Sequence, residues 1–242
     1  MQNIDSISHV RGQSVYLDDI PVKEGTLHAV VLGSPAARGR IISVDTREAA
    51  ALPGEIRNFS AADIPGENQI GGIIPDEELL AGEELHFQGQ PVCIIVAHDE
   101  LTARRARKLI RMEYEPLPPV IDVEEAWRKK QFLSPPRTFS LGDVKQAWAQ
   151  CAHIAEGQAA TGGQEHVYIE TQGAYACPEE GGRIKIFSST QGPTAVQRTA
   201  ARFLGLPMHE FGVEVARLGG GFGGFEDQAT PWACLAALAA LH

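Results

Sequence analysis

The stretch most suggestive of chemistry is Gly219-Gly220-Gly221-Phe222-Gly223-Gly224, five glycines in six positions, with Glu226 two residues beyond it. Without Cβ atoms, such a run lets backbone N–H groups come close to an anionic or oxo-bearing ligand. The sequence predicts a strand over Val213–Leu218 before it and a helix over Glu226–Leu241 after it. The loop then reads as a helix N-terminus, where negative charge is favoured. Phe222 supplies an aromatic wall within the turn. Glu226 supplies a carboxylate beside the ligand, or else only stabilises the helix dipole. Gly219, Gly221 and Gly224 formally satisfy GxGxxG. A dinucleotide fold also needs a second parallel strand with an acidic residue ~20 positions on, and none lies between Gly224 and His242. No Lys-Ser or Lys-Thr follows Gly224, which excludes a P-loop. A plain bending turn remains as the alternative, but it needs fewer glycines.

Other reactive side chains show no such clustering. Cys93, Cys151, Cys177 and Cys234 stand tens of residues apart with no CxxC or CxxH, so no zinc or iron–sulfur site is readable. Across 242 residues, 21 Lys and Arg against 31 Asp and Glu give a net charge of −10. That balance argues against a nucleic-acid binder. No apolar run reaches the ~20 residues of a membrane span, and Met1–Arg11 lacks the pattern of a secretory leader. Scattered thiols without a leader point to a reduced, cytoplasmic protein.

The elements that must position the glycine loop can be read from hydrophobic pattern and punctuation. Apolar runs predict strands at Leu27–Leu32, Arg40–Val44, Ile56–Phe59 and Pro91–Ala97, the last apolar throughout and so buried on both faces. Asp45 or Thr46 caps a helix running to Leu52. Asn68–Gly82 reads as a long exposed loop. Asp99 caps a helix to about Leu109, whose Arg104, Arg105, Arg107 and Lys108 form a solvated face. Five prolines between Pro116 and Pro136 surround a short helix, Val123–Lys130, and mark a connector. Beyond it come a helix capped by Asp143, strands at Ile154–Ala160, Val167–Ala176 and Arg183–Ser188, and a helix from Thr194 to Leu204 stopped by Gly205-Leu206-Pro207. The last segment, Pro231–Leu241, is apolar all round, a pattern that calls for burial against a partner.

Taken in order, several stretches resemble the molybdenum-binding part of the xanthine dehydrogenase and aldehyde oxidase family. They are His9-Val10-Arg11-Gly12, Tyr16-Leu17-Asp18-Asp19-Ile20-Pro21, Phe87-Gln88-Gly89-Gln90-Pro91-Val92, Glu113-Tyr114-Glu115-Pro116-Leu117-Pro118, Gly163 to Glu170, Ser189-Thr190-Gln191 and Gly219 to Glu226. The resemblance implies an α/β (α+β) fold: a hammerhead domain over 8–117, a proline-rich connector over 118–139, and the start of a molybdopterin-binding domain over 140–242. It implies a molybdenum hydroxylase that oxidises a purine such as xanthine or hypoxanthine, or an aldehyde, with water as the oxygen source. The implied cofactor is molybdenum-molybdopterin, as such or as its cytosine dinucleotide, with 2Fe-2S clusters and FAD on partner subunits or domains. Oligomeric assembly is also implied.

Residue by residue, Gln191 matches a glutamine that hydrogen-bonds an oxygen ligand of molybdenum. Phe222 and Gly223 match the loop that packs against the metal-bearing end of the pterin, and Glu226 matches a carboxylate that orients a purine. His166 reads as a structural core histidine. Phe225 stands where the family motif has lysine, which puts substrate choice in question. The family's general base and most pterin contacts lie in a region C-terminal to these residues. No residue of this chain is therefore assigned as catalytic or as a direct metal ligand, and the chain alone is expected to be inactive. The alternatives are a non-catalytic oligomeric fragment and a nucleotide-binding module built on the glycine loop.

Overall fold

A computed structural model describes residues 4–242 of the chain. The contacts of these residues form a large unit, up to 118 together with 166–242, and a small one, 119–165. The large unit opens with α1 (Ile4–Val10) and a short turn of helix at Leu17–Asp19. It then builds three three-stranded sheets. In the first, β5 (Pro91–Ala97) lies between β1 (His28–Gly33) and β3 (Glu55–Ser60), antiparallel to both. In the second, β2 (Gly39–Asp45) lies between β4 (Glu84–Leu85) and β6 (Arg111–Pro116). In the third, β8 (Ile184–Ser188) pairs antiparallel with β7 (Ala174–Pro178) and parallel with β9 (Phe211–Glu214).

The continuous apolar run of β5 follows from its position. Cys93 and Ile95 face a cluster with Ala49, Ala106 and Ile110, on the side of α2 (Arg47–Ala50) and α3 (Glu100–Leu109). Ile94 and Val96, pointing the other way, enter the main core with Ile184, Ile186, Phe203 and Leu238. A strand covered on both faces has no polar side to alternate with. The main core therefore draws on residues from both before and after the proline-rich connector. It is completed by α6 (Pro193–Leu204) and α7 (Thr230–Leu241). Each large side chain fully buried there, such as Phe203 or Ile186, contributes about 1.5–3 kcal/mol.

Helix starts follow the sequence closely. Asp99 accepts the Thr102 N–H at 2.8 Å, and Asp143 accepts that of Gln146 at 2.9 Å at the start of α5 (Val144–Ala149) in the small unit. There, α4 (Val123–Lys129) is capped by Asp122, and Trp127 meets Phe132 edge-on at 5.4 Å. Arg104, Arg105 and Lys108 are exposed, as a solvated face requires.

Other elements differ from expectation. The helix after Asp45 is a single turn, Arg47–Ala50, after which the Leu52 N–H closes a tighter turn onto Ala49 O. Asp45 accepts the N–H and guanidinium of Arg47, which hold its carboxyl well below the usual range. Ile154–Ala160 forms no strand: it has no ladder partner, and Ile154 is exposed. The expected strand over Val167–Ala176 shrinks to β7, because pairing with β8 begins only at Ala174, opposite Ser188; Val167 itself is left-handed at φ 50°. β9 ends at Glu214, opposite Phe187, where the pairing with β8 stops. The loop at 68–82 is exposed only in its outer part. Asn68 Oδ1 accepts the N–H groups of Leu79 and Leu80 at 3.1 Å, drawing both side chains into the core. Nor does α7 begin at Glu226. It starts at Thr230, with Pro231 in the first turn, where a missing N–H costs nothing. Its all-round apolarity is met by β7, β8 and α6, which enclose it within its own unit.

The four cysteines are free thiols. Burial pushes the Cys93 and Cys234 thiols up to about 12. Cys177 is also buried, whereas Cys151 is exposed. A thiol-specific disulfide reagent should therefore label Cys151 alone in the folded chain and all four after unfolding. Rapid native labelling of Cys93 or Cys234 would contradict this core.

Candidate functional site

The glycine loop is held by the chain that leaves β8. After Ile186 the strand runs into Ser188, Ser189 and Thr190, three polar residues that are all buried. Ser189 Oγ accepts the Gly173 N–H at 3.3 Å. Thr190 Oγ1 donates to the Phe225 carbonyl at 3.2 Å and accepts the Gly192 N–H at 3.0 Å. Gln191 completes the attachment. Its own N–H donates to the Phe225 carbonyl at 3.0 Å, and its Oε1 accepts the N–H groups of both Gly223 and Phe225 at 3.2 Å. Gly221 lies against the same side chain: an added Cβ would stand 2.7 Å from that Oε1 and would push the carboxamide out of the latch.

Within the turn, Gly224 N–H donates to Gly221 O at 2.6 Å, and Glu226 N–H donates to Gly223 O at 3.2 Å. Phe222 is left-handed at φ 50° with a ring 75% exposed. An aromatic residue in that region stores on the order of 1–3 kcal/mol of backbone strain, which the bonds on either side sustain. The structure thus brings Gln191, Phe222, Gly223 and Glu226 into one hydrogen-bonded turn. It does not make that turn a helix N-terminus, since Thr230 starts α7 and residues 222–228 are a series of turns. Glu226 is exposed and lies outside any helix. Nearby charge is negative as well: burial first, then Asp76 and Asp227, raise the Glu77 carboxyl above its ordinary value.

Two readings of single residues change. The Phe225 ring is fully buried, 4.1 Å from the Tyr168 ring, so it anchors the loop instead of shaping an open pocket. His166 is exposed, not in the core, and its ring stacks on Tyr168 at 6.1 Å. Sequence reasoning missed Thr190, Tyr168 and Glu170. The available signal was alternation along 166–170, where Val167 and Ile169 point outward at 74% and 95% exposure while Tyr168 and Glu170 turn inward. A groove of about 890 Å³ lies elsewhere, lined by 17–29, β7 and α7, and Gln191, Phe222, Gly223 and Glu226 do not line it.

Three three-stranded sheets with their helices make an α/β architecture in which a glutamine pins a glycine loop, and comparison with known proteins gives its class. Residues 11–118 match the family model described as the aldehyde oxidase and xanthine dehydrogenase a/b hammerhead domain. Residues 126–242 match that of the molybdopterin cofactor-binding domain. Xanthine dehydrogenase of Dictyostelium discoideum is 39% identical across 96% of this chain and 17% of its own length. Aldehyde oxidase 2 of Cavia porcellus is 34% identical across 100% of this chain and 18% of its own. Quinoline 2-oxidoreductase from Pseudomonas putida 86 superposes with a TM-score of 0.83 at 28% identity, covering 99% of this chain and 33% of that one. The chain belongs to the xanthine dehydrogenase and aldehyde oxidase family of molybdopterin oxidoreductases. It spans less than a fifth of the length of the curated relatives it matches.

Replacing Gln191 by Ala strips two backbone N–H groups of their acceptor. In chemical denaturation of the full chain, Gln191→Ala should lose roughly 1–3 kcal/mol. Gln191→Glu, which keeps an acceptor for both, should lose clearly less. Equal stability of the Ala variant and the parent would show that the latch carries no weight.

Proposed function

We propose that this chain forms one wall of a molybdopterin site in a molybdenum hydroxylase that oxidises a purine-like substrate with water as the oxygen source. The observation that carries the reading is the orientation of Gln191. Its Oε1 is consumed by two amides of the loop, which fixes the carboxamide, and its Nε2 hydrogens have no partner among the described residues. A neutral, oriented donor suits an oxo-bearing group, since it adds no charge. Beside it, Phe222 offers an exposed flat ring, and the space where a Gly223 Cβ would stand is open. These residues fit the group the family implies: Gln191, Phe222 and Gly223 would hold it. When bound, molybdenum-molybdopterin supplies the two-electron redox chemistry.

Glu226 has a different task in this reading. Its backbone N–H is fixed to Gly223, and its exposed carboxylate is free to accept hydrogen bonds from the N–H edge of a purine. Because Phe225 points into the core, Glu226 and not Phe225 faces the substrate. We take the general base and most pterin contacts to come from polypeptide outside residues 1–242, in keeping with the share of the relatives this chain spans. The reading extends to the cytosine dinucleotide as one form of the pterin and to 2Fe-2S and FAD centres on partner domains or subunits as electron acceptors. It also includes an oligomeric, cytoplasmic assembly and the domain division 8–117, 118–139 and 140–242.

A site built to bond a substrate's polar edge discriminates strongly, because an analogue leaves its groups unpaired. In the assembled enzyme, Glu226→Ala should lower the purine-to-aldehyde ratio of kcat/KM by about tenfold or more. An unchanged ratio would remove the purine assignment.

A further inference from the structure

The loop has a second attachment, at its entrance, which the reading above does not use. Glu170 Oε1 accepts the Leu17 N–H at 3.0 Å, and Oε2 accepts the Gly219 N–H at 2.8 Å. One half-buried carboxylate thus joins two main-chain donors from distant parts of the sequence. The contact is close on both sides. A Cβ at Gly219 would stand 2.4 Å from the Glu170 Cβ, so only glycine admits this approach. A Cβ at Gly173 would stand 2.6 Å from Leu17 Cδ2, so Leu17 is seated on bare backbone. The turn that presents Leu17 is itself closed by Asp19, whose Oδ2 accepts the Tyr16 N–H at 2.9 Å.

We infer that Glu170 is a positioning residue: it fixes the entrance of the glycine loop and couples that entrance to the Leu17–Asp19 turn. A run this rich in glycine loses more conformational freedom on ordering than any other sequence. Gln191 holds its far end at Gly223 and Phe225, but nothing in that latch fixes Gly219. With both ends held, Phe222 has a fixed place. Without Glu170, the loop pivots about Gly223, and the Leu17 amide loosens with it. Each donor meets its own oxygen, and a carboxylate is the side-chain group that offers two acceptor oxygens without a competing donor. Glutamine at 170 keeps the shape but turns an NH2 toward one of the donors. The consequence for a bound pterin rests on the function proposed above; the coupling itself does not.

The test is amide hydrogen exchange, residue by residue, on the full chain as parent, Glu170→Gln and Glu170→Asp. The Gln variant should raise exchange at Leu17 and at Gly219–Gly221 together, by roughly ten- to a hundredfold, the loss expected for a charge-assisted bond. Exchange in β5 and α6 should stay as in the parent. The Asp variant, one methylene short, should release at least one of the two amides. If Glu170→Gln does not fold, Glu170→Asp supplies the same comparison. Unchanged protection at Leu17 and Gly219, or a rise spread evenly through β5 and α6, would overturn the inference. Molybdenum content of the assembled enzyme, measured alongside, separates the two ideas. Loosened amides with parental metal would leave the coupling intact and remove only its bearing on the cofactor.

Discussion

A glycine-rich loop is useful only when something else decides its shape, and here a single carboxamide oxygen does most of that. Gln191 Oε1 binds two amides of the turn, its own backbone N–H binds the carbonyl between them and Glu226, and Thr190 binds that carbonyl again. Bonds of this kind are each worth only about 0.5–1.5 kcal/mol, and together they oppose part of the freedom that five glycines give up. They also settle which end of the amide faces outward. With the oxygen taken up by the fold, the nitrogen is the end that the proposed function assigns to a ligand. On that proposal, structural and chemical roles fall on opposite ends of one planar group.

That arrangement depends on the core beneath it. β8 carries Ile184 and Ile186 into the apolar interior and then delivers Ser189, Thr190 and Gln191 at a defined height. Phe225, buried against Tyr168, fastens the other side of the turn to the same unit. Because Ile94 and Val96 of β5 belong to this core as well, the hammerhead strands and the cofactor-binding strands share one interior. Damage to β5 should be felt at the loop even though no residue of β5 touches it in the hydrogen-bond pattern.

Much of the frame was legible because each element has a local cause. β5 declares itself by an unbroken apolar run, α3 by Asp99 and a charged outer face, α6 by its period and the glycine that ends it. The loop was legible too; Gln191, Phe222, Gly223 and Glu226, singled out through the order of the resembling motifs, lie in one hydrogen-bonded turn, and their roles toward a cofactor or substrate belong to the proposal. What escaped the sequence was decided by tertiary contact. Nothing local tells that Val167 adopts a left-handed turn, that Phe225 points inward, or that Thr230 and not Glu226 begins the last helix. Glu170 escaped for the same reason. Its partners, Leu17 and Gly219, are adjacent only in the folded chain, so no spacing rule could pair them.

The central claim is that the latched loop faces molybdopterin through Gln191. The most direct measurement is the molybdenum content per chain of protein purified with its natural partners, for the parent and for Gln191→Ala. The account predicts near-stoichiometric metal in the parent and a marked deficit in a variant that still folds and assembles. Metal at background level in the parent, or equal occupancy in both, would contradict it.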